Sequence, residues 1–185
     1  RYLLSLATLE PRKGLDVLLA ALAEPSAEPG AALPPLVVVG QPGWGGVDVA
    51  DEARRLGIAD RVRVLGRIDD EVLAAVLADA VALVMPSRAE GFGLPVLEAM
   101  AAGVPAVISD DPALLEVAAG SALTAPIGDA PALAGALARV AGDEPLRARM
   151  IAAGRARAAD FDWDASAARL WALYRRLRAE RAARG

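Results

Sequence analysis

The 185-residue chain is 55% apolar yet has no hydrophobic stretch near ~18 residues, which favours one substantial core over a membrane-spanning helix. A formal charge of −4 argues against a general nucleic-acid binder, which needs a basic face to neutralise phosphates. With no cysteine and no signal-peptide pattern, the expected setting is cytoplasmic or facing the cytoplasm.

The first predicted element is a strand, YLLSL (2–6), followed by TLEPRKG (8–14) and a helix over 12–23. Pro11 suits a first helical turn, so Arg12 and Lys13 project from a helix start, where free N–H groups and the dipole already favour an anion. Lys13 is the only lysine among 20 basic residues. It reads either as a site that needs a compact ammonium or as an exposed helix position. A Pro/Ala-rich connection (23–35) leads to the strand LVVV (36–39) and then to GQPGWGGVD (40–48), glycine-rich but without P-loop or GxGxxG spacing. We read that segment either as a loop that lets the backbone approach a ligand or, more simply, as a turn, and favour the turn.

Helical patterns at 48–57, 70–79, 95–102 and 112–118 then alternate with strands at 62–65, 81–85 and 106–109, with a weaker strand near 122–125. Short, nearly continuous β-branched runs are how strands buried on both faces of a parallel sheet read. The alternation predicts an α/β, doubly wound, mostly parallel, Rossmann-like sheet, followed from about residue 129 by helices alone. The last helix, 163–181, sets Trp163, Ala167, Leu170, Trp171, Tyr174 and Leu177 on one face, which calls for a packing partner in this domain or beyond it. DFDWD (160–164) offers D-x-D carboxylates, but helix capping accounts for Asp162 and Asp164 better than a metal does.

Ligands of open α/β sheets bind beyond the carboxyl ends of the strands. There EGFGLPVLE (90–98) places Gly91 and Gly93 in a loop, Pro95 at a helix start, and the Val96 and Leu97 amides free at its N-terminus. Glu90 in the loop and Glu98 in the first turn face the same edge. Carboxylates accept hydrogen bonds from vicinal hydroxyls and bare amide N–H groups donate to phosphate oxygens, so the layout suits ribose, diphosphate and hexose in sequence.

These residues resemble the E-x7-E motif of the retaining GT-B glycosyltransferases of family 4, also called glycosyl transferases group 1. LEPRKGLDVLLAAL, LVVVGQPGW, LGRIDDEVLAAVLADA, MPSRAEGFGLPVLEAMAAGVPAVIS and FDWDASAARLWALYRRL resemble their second, donor-binding domain in order, across essentially the whole chain. The resemblance implies that residues 1–185 form a nucleotide-sugar domain whose 160–185 helix crosses to an N-terminal acceptor domain. It implies that Glu90 contacts the donor hexose and Glu98 the ribose, while the base lies beside Arg67 and Ile68. Lys13, Arg12 and the amides of Gly91, Phe92, Gly93, Leu94, Val96 and Leu97 would hold the diphosphate and stabilise its charge as it leaves, with no metal and no other cofactor. Glu90, Lys13 and Arg12 would be the catalytic set, with Glu90 orienting the sugar. The partners implied are a nucleotide sugar, the acceptor domain of the same protein and, for the full-length protein, a membrane surface.

In one place the sequence departs from the family: where it often carries Gly-Arg-Leu, with that arginine on the diphosphate, this chain has Ala7, Thr8 and Leu9. The Arg12-Lys13 pair resembles a sub-branch that includes users of GDP-mannose. Two other classes stay open: a non-catalytic nucleotide-sugar-binding homologue, and a dinucleotide-dependent dehydrogenase domain. The missing GxGxxG counts against the second.

Overall fold

Asp-Pro and glycine punctuation divides the chain much as the hydrophobic runs do. A computed structural model describes residues 1–25 and 33–182, so most of the Pro/Ala-rich connection lies outside the described residues. The strands are β1 (Leu3–Leu6), β2 (Leu36–Val39), β3 (Val62–Gly66), β4 (Ala82–Met85), β5 (Ala106–Ser109) and β6 (Leu123–Ala125). Between them run α1 (Leu15–Ala23), α2 (Val49–Arg55), α3 (Asp70–Ala78), α4 (Leu94–Ala102) and α5 (Pro112–Ala118). After β6 come α6 (Ala130–Gly142), α7 (Glu144–Ala158) and α8 (Trp163–Ala182). Asp48, Asp111, Asp129 and Asp143 cap α2, α5, α6 and α7, each accepting at least one N–H of the first turn.

All neighbouring strands pair in parallel, in the order β3-β2-β1-β4-β5-β6. Strand alternation supplies both cores. Leu4, Leu83 and Ile108 face α3, α4 and α5, while Leu3, Val84 and Val107 face α1, α2 and α6. This is the doubly wound, Rossmann-like layout expected, and β1, β4 and β5 are buried throughout. The same expectation fails for β3. It is an edge strand, and Val64 and Leu65 are exposed because only β2 flanks it.

Strand order reverses between β1 and β4, so the crevice used by ligands in such sheets opens beyond their carboxyl ends. Two glycines let the loops there come close. Gly14 has φ 65°, and a Cβ on it would lie 2.1 Å from the Pro86 carbonyl oxygen. Gly40 has φ 152°, and its Cβ would meet the Ala7 oxygen at 1.8 Å. The glycine-rich 40–46 loop therefore packs on the loop after β1, with Leu9 N–H donating to the Gln41 carbonyl at 3.0 Å.

None of α8 is buried. Trp163 is 82% exposed and Trp171 65%, so the aromatic face finds no partner among the described residues of this domain. No helix among the described residues is long and apolar enough to cross a membrane.

Candidate functional site

The loop after β1 forms a 3-10 turn, Pro11–Lys13, started by the fixed φ of Pro11 and ended by left-handed Gly14. That turn aims Lys13 at the loop after β4. Lys13 Nζ donates to Glu90 Oε1 at 2.7 Å, and the buried Ser87 hydroxyl donates to the same oxygen at 2.6 Å. Arg12 Nη1 reaches Glu90 Oε2 at 3.5 Å and the Ala89 carbonyl at 3.4 Å, while its Nε donates to Glu10 Oε2 at 2.8 Å. The Glu90 and Lys13 side chains are 6% and 12% exposed, so this pair is little screened by solvent. A carboxylate offers about four acceptor positions, and protein donors occupy three of those on Glu90.

Lys13 also lines a concavity of about 410 Å³ at the switch point, together with Thr8, Gly40, Gln41, Arg67, Ile68, Pro95 and Glu98. That volume lies within the ~300–1,000 Å³ typical of small-molecule sites. The structure thus gathers Lys13, Arg67, Ile68 and Glu98 from three separate segments, and the ion pairs of Glu90 with Lys13 and Arg12 lie beside them. Glu98 is exposed and has no hydrogen-bond or ion-pair partner among the described residues. Thr8 also lies on the wall of the concavity.

Other expected residues are placed differently. Helix α4 begins at Leu94 with Gly93 as its cap, so Pro95 is the second helical residue and Glu98 lies in the second turn, not the first. The Val96 N–H is not free, because it donates to the Gly93 carbonyl at 2.9 Å. Open amides shift towards the loop: among the described residues, the N–H groups of Gly91, Phe92, Gly93 and Leu94 have no protein acceptor. The side chains of Phe92, Leu94 and Leu97 line a second groove of about 350 Å³ with Glu98, Phe161 and Trp163. Phe92 meets Phe161 edge to face, with ring centres 5.9 Å apart, and the Arg157 guanidinium lies 4.6 Å over the Phe161 ring centre. The Asp162 carboxylate accepts the Asp164 N–H at 2.9 Å, consistent with a cap. Among the described residues no cluster of three or more His, Cys, Asp or Glu could hold a metal ion.

Sequence reasoning missed Glu10, Ser87 and the Arg88–Asp16 pair. Arg88 binds Asp16 through both guanidinium nitrogens, at 2.8 and 2.6 Å, and donates to the Pro11 carbonyl at 2.8 Å. The Arg88 guanidinium holds the Asp16 carboxyl below its ordinary value, with burial opposing, and Asp16 raises Arg88 in turn. Glu10 carried the one available signal, an acid two positions before Arg12 in LEPRK.

Residues 1–157 match the family described as Glycosyl transferases group 1. The chain belongs to that family. Among curated group 1 relatives, it is 37% identical over 164 residues to the O-antigen chain mannosyltransferase B of Escherichia coli, covering 88% of this chain and 42% of that protein. It is 40% identical over 181 residues to the D-inositol 3-phosphate glycosyltransferase of Streptomyces scabiei, covering 90% and 39% respectively. The group 1 domain therefore spans less than half the length of these relatives. The structure of sucrose-phosphate synthase from Thermosynechococcus elongatus superposes with a TM-score of 0.81 and 31% identity, over 97% of this chain and 46% of that one. The Anabaena HepE structure in complex with UDP and glucose shares the fold at a TM-score of 0.75 with 24% identity, over 86% and 44%.

Proposed function

We propose that this chain is the donor half of a retaining hexosyltransferase, holding a nucleotide-diphosphate sugar in the concavity at the switch point. One observation carries the reading: Lys13 and Glu98 line the same concavity, and Lys13 is held in place by Glu90. Glu98, with no side-chain partner among the described residues, takes the ribose hydroxyls. The base lies along Arg67 and Ile68. Lys13, Arg12 and the open Gly91–Leu94 amides receive the diphosphate, and Glu90 offers its remaining acceptor position to the hexose.

In the reaction the anomeric C–O bond to the diphosphate breaks and its electron pair passes to the leaving phosphate oxygen. An acceptor hydroxyl forms the new glycosidic bond, and its proton passes to the departing diphosphate. Preorganised cations and amides lower the barrier because they face charge that grows as that bond breaks. Mannose is the favoured sugar and GDP the favoured carrier, supported by the Arg12-Lys13 pair and by the mannosyltransferase name of the Escherichia coli relative. The rest of the parent protein supplies the acceptor site and covers the aromatic face of α8. Where the acceptor is a lipid, the parent works at the cytoplasmic membrane face.

The test is differential thermal stabilisation by GDP, UDP, ADP and NAD at millimolar concentration. A ligand at a hundredfold its Kd adds about 2.7 kcal/mol, a Tm rise of about 5–10 °C for a domain of this size. A nucleoside diphosphate is expected to produce that rise, and NAD is not. No shift with any diphosphate would overturn the reading, and a shift with NAD alone would favour the dehydrogenase alternative.

A further inference from the structure

Lys13 and Glu90 both have long, flexible side chains on loops 77 residues apart, yet their charged atoms meet at 2.7 Å. Side-chain chemistry alone does not ensure that meeting. It requires the two backbones to keep one fixed offset. We propose that Arg88 is a positioning residue that sets this offset, deepening and resting on the proposed function. Arg88 belongs to the β4–α4 loop, two residues before Glu90. Its guanidinium reaches back to the other loop at two places, Asp16 in the first turn of α1 and the Pro11 carbonyl in the 3-10 turn. Its own N–H donates to the Arg12 carbonyl at 2.7 Å. One residue therefore binds the turn that carries Lys13 on both sides of the lysine, at Pro11 and Arg12 before it and at Asp16 after it.

A planar guanidinium fixes distance and orientation together when it binds a carboxylate through two nitrogens, which a lysine ammonium cannot do. The pair is partly exposed, with side chains 39% and 56% accessible, so its contribution to overall stability is small. Its effect is on geometry. In Arg88→Ala the Gly14–Pro86 contact and the main-chain bond to the Arg12 carbonyl remain and keep the loops near each other; the guanidinium contacts to Asp16 and Pro11 are what is lost.

The sole lysine makes the test direct, because lysine labelled with ¹⁵N in its side chain reports Lys13 alone. In the wild-type chain, a ¹H–¹⁵N correlation of a slowly exchanging ammonium is expected. Arg88→Ala and Arg88→Lys should both lose or broaden it while keeping a native far-UV spectrum and cooperative unfolding, and Asp16→Asn should weaken it. Affinity for the nucleoside diphosphate that stabilises the wild type should fall about tenfold in Arg88→Ala, since small misplacements of binding groups are costly. A folded Arg88→Ala with an unchanged Lys13 signal would overturn the proposal. So would a wild-type signal indistinguishable from free lysine. If Arg88→Ala fails to fold, Asp16→Asn decides by the same signal. Loss of the signal in the variants with no diphosphate binding by the wild type would uphold Arg88 as a positioning residue and overturn the donor site instead.

Discussion

Glu90→Gln separates the contacts that the Glu90 carboxylate makes within the protein from the hexose contact proposed for it. The side chain accepts from Lys13, Ser87 and Arg12 while almost wholly buried, so neutralising it leaves the Lys13 ammonium without its counter-charge. Hydrogen bonds to charged groups are worth about 1.5–3 kcal/mol, and the retained amide oxygen still accepts one or two of them. The expected destabilisation is therefore near the lower end, about 1.5 kcal/mol, or about 3–6 °C in Tm for a domain of this size. Binding should split. The nucleoside diphosphate meets a Lys13 no longer neutralised and binds as well or slightly more tightly. The nucleotide sugar loses its hexose contact and weakens roughly tenfold. Glu98→Gln should behave differently: exposed and without a side-chain partner among the described residues, it should shift stability by no more than about 0.5 kcal/mol yet weaken both ligands by the same factor. Calorimetry of both variants with both ligands, beside thermal melts, checks this. Equal loss of diphosphate affinity in the two variants would refute the reasoning, because the carboxylates would then not divide the donor between them.

Chelation should leave diphosphate binding intact, because cations and amides receive the phosphates; loss of binding in EDTA with recovery in Mg²⁺ would count against that account. Gly14→Ala should cost more than about 2 kcal/mol, read by urea unfolding, since the new methyl would sit 2.1 Å from the Pro86 carbonyl oxygen, far inside van der Waals contact, at a left-handed φ. Asp16 has a folded pKa lowered by Arg88, so its contribution is present above the ordinary carboxylate value and lost as pH falls through the folded one. Thermal melts of Asp16→Asn should therefore show a shallower stability loss below about pH 4 than the wild type.

Much of the fold was legible in the chain itself. β1, β4 and β5 announced themselves as short apolar runs because a strand covered on both faces has no polar side to show, and aspartates beside prolines marked helix starts because both residues suit a first turn. The edge rule for open sheets then pointed to TLEPRKG and EGFGLPVLE before any coordinate was known. β3 was misread as doubly covered because sequence pattern does not reveal which strand ends at a sheet edge. The Val96 amide was misread because helix α4 starts one residue early, on the left-handed Gly93.

Tertiary structure alone decided the partners. Lys13 with Glu90, Ser109 with the Ser87 carbonyl, and Arg88 with Asp16 are joined across 77, 22 and 72 residues. Residue types announce that such groups can pair but carry no record of which ones the parallel crossovers bring to one edge. The aromatic face of α8 shows the same division. Its periodicity was written in the sequence, and its exposure followed only once every described helix of the domain had been placed without covering it.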